Sequence, residues 1–208
     1  MSTVWIGCVV EGDGEVSALP ILIRRIAQRI NPDVYVEVPR PVRVKRNRVG
    51  GQFPDLERGI GLAARQIETP GAILILLDAE EDCPAALGPE LLLRVQTLST
   101  NLAIGAVLAN HEYENWFIAA AESLRGKRNL PADLNAPSDP EAIRDAKHWL
   151  RNQMPRNRKY TETADQPALT ALFNLDVARA GSPSFDKCYR EIERIIQAML
   201  SSPPQEAS

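Results

Sequence analysis

Apolar residues recur along this chain in two rhythms. Residues 4–10, 73–77 and 102–108 are short, nearly unbroken apolar runs, the mark of strands buried on both faces. Residues 34–38 alternate apolar and polar and read as a further short strand. Between the runs the spacing becomes helical. Over 16–30, Leu19, Leu22, Ile23, Ile26, Ala27 and Ile30 fall on one face, with Pro20 early enough for a first helical turn. The same reading predicts helices over 54–67, 88–98 and 116–124, and later over 140–150, 166–180 and 183–200. Ser182 before Pro183 is a cap and first-turn pair.

Strands alternating with helices predict an α/β fold, a mostly parallel, Rossmann-like sheet flanked by helices with a C-terminal helical extension. The division expected is an α/β core over 1–128, a helical extension packed on it over 129–200, and a flexible tail over 201–208. A run of Pro, Asn, Asp and Ser over 129–140 separates core from extension. Pro39 and Pro41 confine the stretch after residue 38 to an edge or loop, and Gly50-Gly51 breaks the chain before the next helix.

Composition narrows the class. At 208 residues, 44% hydrophobic and 25% charged, the chain has the make-up of a soluble globular protein. No apolar run approaches the roughly 20 residues that span a bilayer, so no membrane partner is expected. Cys8, Cys83 and Cys188 show no zinc-ligand spacing and suit reduced thiols in the cytoplasm. The net charge of −3 does not by itself point to nucleic acid. Its distribution is more telling. Arg40, Arg43, Lys45, Arg46 and Arg48 form a basic stretch without an acid, and Arg158 and Lys159 lie in a second. Such segregation places a basic rim beside an acidic pocket, or is simply two solvated faces.

The acidic groups fall where strands end. Glu11 follows the first strand, with Gly12 and Gly14 to let the backbone turn. Asp78, Glu80, Glu81 and Asp82 follow the central run, and Glu112 and Glu114 the next. In open parallel sheets the site lies outside these strand ends. Crowded carboxylates repel one another, so keeping them ionised calls for a cation. Mg2+ or Mn2+ takes oxygen donors of this kind and serves phosphoryl transfer. A dinucleotide turn is disfavoured, because Ser17 replaces its third glycine and Asp13 and Glu15 would repel a pyrophosphate. A P-loop is excluded for want of Gly-Lys-Ser/Thr. An aspartyl-phosphate receiver would lack companion Thr and Lys residues.

Val9-Val10-Glu11-Gly12 with Leu76-Leu77-Asp78-Ala79-Glu80 resembles the Toprim domain, the catalytic fold of topoisomerases, bacterial primases and OLD-type nucleases. More closely, the chain resembles a bacterial group in that class, the domain of unknown function 4276 family. The carrying segments are 11–15, 77–84, His111-Glu112-Tyr113-Glu114-Asn115-Trp116-Phe117, 159–167 and 182–186. The resemblance implies a Mg2+- or Mn2+-dependent nuclease acting on DNA or RNA, with Glu11, Asp78 and Glu80 as catalytic and metal-binding residues. Asp82, Glu112 and Glu114 are further ligand candidates. Arg43, Lys45, Arg46, Arg48, Arg158 and Lys159 are candidates for the nucleic-acid backbone. Glu80 departs from the family's second Asp. The resemblance to OLD-type systems implies a separately encoded ATPase and a role in bacterial defence against phage. His111 is a candidate base or ligand, Asp165 a helix cap, and Gln166 a candidate to face the site. Trp116 and Phe117 are expected in the core. A covalent tyrosine step through Tyr113 or Tyr160 is rejected. The rival reading is a non-catalytic module that binds a partner protein or nucleic acid.

Overall fold

The first apolar run folds as β1 (Ser2–Val10) and passes through a turn into α1 (Glu15–Ile30). The computed structural model describes residues 2–45, 54–97 and 102–201, so Arg46, Arg48, the Gly50-Gly51 break and Leu98 lie outside the described residues. Next come β2 (Val34–Glu37), β3 (Val42–Arg43), α2 (Pro54–Ala64), β4 (Gly71–Asp78), α3 (Pro84–Gln96) and β5 (Ala103–Ala109). The strands form one sheet in the order β2-β1-β4-β5, with β3 also on β1, and every pairing is parallel. This is the expected α/β, Rossmann-like architecture.

β2 pairs with the start of β1, from Ser2↔Val34 to Trp5↔Glu37, and β3 with its end, at Val9↔Val42 and Val10↔Arg43. One edge position is thus filled by two short segments. Pro39 and Pro41 lie between them and have no N–H to give a ladder.

Both faces of the sheet are dry, which is why its strands read as unbroken apolar runs. On one face Ile6, Cys8, Val10, Leu74, Leu76 and Val107 pack with α1 and the C-terminal α8 (Pro183–Ser201). On the other, Val9, Ile73, Ile75, Leu77, Ile104 and Leu108 meet residues of α2 and α3. Each large apolar side chain buried in this way contributes about 1.5–3 kcal/mol.

After β5 come α4 (Asn115–Ala119) and a 3-10 turn (Ala121–Leu124), where one helix was expected. A 3-10 turn (Pro140–Ala142) precedes α5 (Ala146–Gln153), whose cap Asp145 accepts from the His148 backbone N–H at 2.9 Å. The helix predicted over 166–180 is two, α6 (Glu162–Thr170) and α7 (Leu175–Gly181). Asn174 caps α7 by accepting from the N–H groups of Asp176 and Val177. Arg25 meanwhile takes the carbonyls of Thr170 and Phe173 that a continuous helix would have used. Ser182 caps α8, its hydroxyl accepting from Phe185 N–H at 3.1 Å. The sequence also placed the start of α3 too late: Pro84 opens it, directly after Cys83.

Trp116, Phe117, Phe173 and Phe185, with Tyr113, form a chain of tilted and edge-on rings with centroids 4.6–5.6 Å apart. All five are fully buried, so Trp116 and Phe117 are core as expected. The cluster joins the sheet to the helices that follow it. Among the described residues no helix is long and apolar enough to cross a membrane.

From β1 the chain passes through α1 to the edge, then returns across β1 to β4 on its far side. The connections diverge between the C-terminal ends of β1 and β4, leaving a crevice there. Glu11 and Asp78 stand at its two sides.

Candidate functional site

Asp78 is the last residue of β4, and its Oδ1 accepts from the Tyr113 backbone N–H at 2.9 Å. Glu15 is the first residue of α1, and its carboxylate folds back over the turn. Oε2 accepts from the N–H groups of Glu11, at 3.2 Å, and Gly12, at 3.1 Å. Gly14 is not left-handed, with φ −68°. It is needed for close approach instead: a Cβ there would lie 2.1 Å from Gln166 Oε1 and 2.9 Å from the Glu162 carbonyl oxygen. Gly14 sits in the expected turn, but what requires a glycine there is the seating of α6 against the start of α1.

Glu112 accepts at Oε2 from the N–H groups of Ala146, at 2.9 Å, and Lys147, at 3.3 Å. An acid at the start of α5 complements the helix dipole as well as the free N–H groups. Glu114 is completely buried. Its Oε1 accepts from the Tyr160 hydroxyl at 2.8 Å and Gln166 Nε2 at 3.3 Å, whereas Oε2 has no hydrogen-bond partner. Lys147 Nζ stands 3.3 Å from Glu112 Oε1 and 3.3 Å from Glu162 Oε1.

These groups feel one another. Burial pushes the Glu15 carboxyl up to about 7, against the two N–H groups that favour its charge. Burial likewise pushes Glu114 up to about 8, against Lys147 and Tyr160. Asp78 is raised well above the usual carboxylate range by burial and then by the charges of Glu15 and Glu114. Burial works to lower the Lys147 ammonium, but Glu114, Glu112, Asp78 and Glu162 more than offset it, and its pKa is raised. Four carboxylates therefore converge on a crevice at the strand ends and act jointly on one lysine. Such a cluster can hold protons or a cation.

The structure brings together Asp78, Glu112 and Glu114 of the expected ligands. Glu11 is partly exposed beside them at the end of β1, and its charge raises the Glu15 carboxyl. Glu80 and Asp82 are exposed on the loop beyond Asp78. Glu80 is left-handed, with φ 52°, and its N–H donates to the His111 carbonyl at 2.9 Å. His111 returns a contact from Nδ1 to the Glu80 carbonyl, so it fastens two loops.

The basic residues divide. Arg43 donates from Nε to the Glu11 carbonyl at 2.9 Å and pairs with Asp13 at 2.8 Å, tying β3 to the turn after β1. Lys45 and Lys159 are exposed. Arg158 joins Arg128 on the buried carboxylate of Asp165. Asp165 is not the cap of α6. Thr161 holds that position, and Asp165 Oδ2 accepts from its N–H at 2.9 Å. The Tyr113 hydroxyl meets Thr170 Oγ1 at 3.0 Å and the Tyr160 hydroxyl serves Glu114, so both phenols are engaged inside the protein.

Sequence reading missed Glu15 and Lys147. For Glu15 a signal existed, since it closes the acidic turn segment that follows the first strand and opens the next helix, at the strand end where the site was expected. For Lys147 there was none, because only the fold brings α5 over the strand ends. Among the described residues no three His, Cys, Asp or Glu side chains stand as a ready-made metal-ligand set.

A family model described as Domain of unknown function (DUF4276) matches residues 10–193, which include every acidic residue of the crevice and Lys147. No curated protein and no solved structure matches the chain.

Proposed function

The chain belongs to the family described as Domain of unknown function (DUF4276), and from that premise we propose that its crevice is the site of a Toprim-type, metal-dependent phosphodiester-acting enzyme, a nuclease on DNA or RNA. One observation carries this reading. Glu15, Asp78 and Glu114 are drawn together at the ends of parallel strands, and Glu114 Oε2 is buried without a hydrogen-bond partner. Burying three acids together is costly whether they stay charged or take up protons, and a fold that does so without need loses stability. The donors are hard oxygens, which fit Mg2+ or Mn2+. Asp78, Glu114 and Glu15 would hold the ion, with Glu11 at the neighbouring strand end. Glu80 and Asp82 on the exposed loop are the candidates for a second. When bound, the ion would polarise a phosphodiester oxygen and ease deprotonation of a water.

The chain's own groups orient this set. The Tyr113 N–H fixes Asp78, Tyr160 and Gln166 fix one oxygen of Glu114, and the turn N–H groups fix Glu15. Exposed Lys45 and Lys159 are available for phosphate contacts, which steer nucleic acid without reading its sequence. Arg158 is committed to Asp165 and is a weaker candidate. The Glu11-Gly12 and Asp78-Ala79-Glu80 segments support the Toprim reading, and with it a separately encoded ATPase and a role in phage defence. The test is cleavage of single- and double-stranded DNA and of RNA with Mn2+ present. Asp78→Asn should reduce it to background while circular dichroism stays unchanged. Full cleavage by that variant would sink the proposal.

One observation favours a second reading. Lys147 already offsets part of the acid cluster, as it would in a non-catalytic binding module. Calorimetry separates the two: a folded protein that takes up no Mn2+ at millimolar concentration is the module.

A further inference from the structure

The acid cluster is crowded, yet among the described residues it presents no ready-made ligand set. Lys147 accounts for both facts. Acidic groups from several elements act on its ammonium: Asp78 from β4, Glu112 and Glu114 from the loop after β5, and Glu162 from α6, while the ammonium in turn acts on Glu15 of α1. Nζ contacts Glu112 and Glu162 at 3.3 Å each. We propose that Lys147 is a built-in counter-ion standing in the place of the metal, and that a divalent cation enters the cluster only as this ammonium leaves. The inference rests on the metal-site reading given above.

The geometry lets the side chain move without its helix. The Lys147 backbone is pinned, because Glu112 Oε2 holds its N–H and that of Ala146. The side chain is a four-carbon arm with 28% of its surface exposed, so it has a route to solvent. Glu162, at 40%, stands on that route as an outer partner for the departing charge. Glu114 Oε2, buried and without a hydrogen-bond partner, is the oxygen left to the incoming ion. An ammonium and a divalent ion sharing these carboxylates would repel strongly at low dielectric, so the two occupy the cluster in turn. Lys147 thereby keeps the cluster folded without metal and lowers its affinity for metal.

Two experiments test this, with Mn2+ alone as the probe. Calorimetry compares the full chain with Lys147→Met, which keeps the arm and removes the charge. The variant should bind Mn2+ about tenfold more tightly or better, by the loss of a nearby like charge. Equal affinities would overturn the role of Lys147 while leaving the metal site standing. Absence of binding in both proteins would overturn the metal site and this inference with it. The second experiment uses only the unmodified sequence and so survives a variant that fails to fold. Amine acetylation followed by mass spectrometry measures the labelling rate of Lys147 with and without saturating Mn2+. The rate should rise several-fold while those of exposed Lys159 and Lys187 hold. An unchanged Lys147 rate rejects displacement.

Discussion

Replacing Glu114 by Gln tests the energetics of the cluster without deleting its shape. The carboxyl is fully buried and its pKa rises from 4.5 to about 8, chiefly through burial, with Lys147 and Tyr160 opposing. Between these values the folded chain keeps the proton and the unfolded chain has released it. Stability from this group is therefore complete below about pH 4.5 and is lost as pH rises toward 8. At about 1.4 kcal/mol per unit the full loss is on the order of 3–5 kcal/mol above pH 8. Glutamine cannot ionise, and it keeps an oxygen to accept from Tyr160 and Gln166. In urea titrations at pH 5 and pH 8.5, Glu114→Gln should be close to the unmodified protein at the lower pH. At the higher it should be more stable by about 2–4 kcal/mol, which for a chain of this size is several degrees in Tm. If Lys147 dominated the environment of Glu114, the variant would be the weaker protein at pH 8.5. Equal differences at both pH values, or destabilisation growing with pH, would refute the account.

Further outcomes follow from other contacts. Asp165→Ala leaves Arg128 and Arg158 without their shared carboxylate, and thermal denaturation should show a loss of about 2–4 kcal/mol, smaller than for a fully buried pair because both guanidinium groups reach water. Gly14→Ala drives a methyl into Gln166 and the Glu162 carbonyl, costing about 1–3 kcal/mol by the same assay. Phe185→Ala opens a hole between Trp116 and Phe173 and should cost about 3–5 kcal/mol in urea titrations. Saturating Mn2+ should raise the Tm of the unmodified protein, and should do so less in Glu114→Gln, which has lost a charged donor.

The sheet was legible because its strands are buried on both faces. Residues 4–10 and 73–77 had no alternative reading once their length and β-branched content were weighed. Helix ends were less legible where tertiary contacts decided them. The break between α6 and α7 depends on Arg25, roughly 145 residues distant in sequence, taking two carbonyls. Of the candidate site, the acids at strand ends could be read directly, since a parallel sheet gathers the loops that follow its strands. What set their electrostatics could not. Lys147 comes from α5 and Tyr160 from the loop before α6, whose placement no local pattern encodes, and Gln166 was singled out only through the family resemblance. Glu15 was legible in principle but was weighed only as a group that would repel a phosphate.

The seating of α6 against Gly14 also bears on the order in which the site can form during synthesis. Every strand of the described residues, and Glu15, Asp78, Glu112 and Glu114 of the cluster, precede residue 115, so the sheet can pair while Glu162 and the rest of the chain are still being made. At that stage Asp78 and Glu114 face water and have no reason to hold protons. Tyr160, Gln166 and the covering face of α8 arrive only afterwards. The last third of the chain thus does more than enlarge the core. Its arrival dries a set of acids that began as ordinary ones, so the raised carboxyls of the crevice come later than the sheet that gathers them.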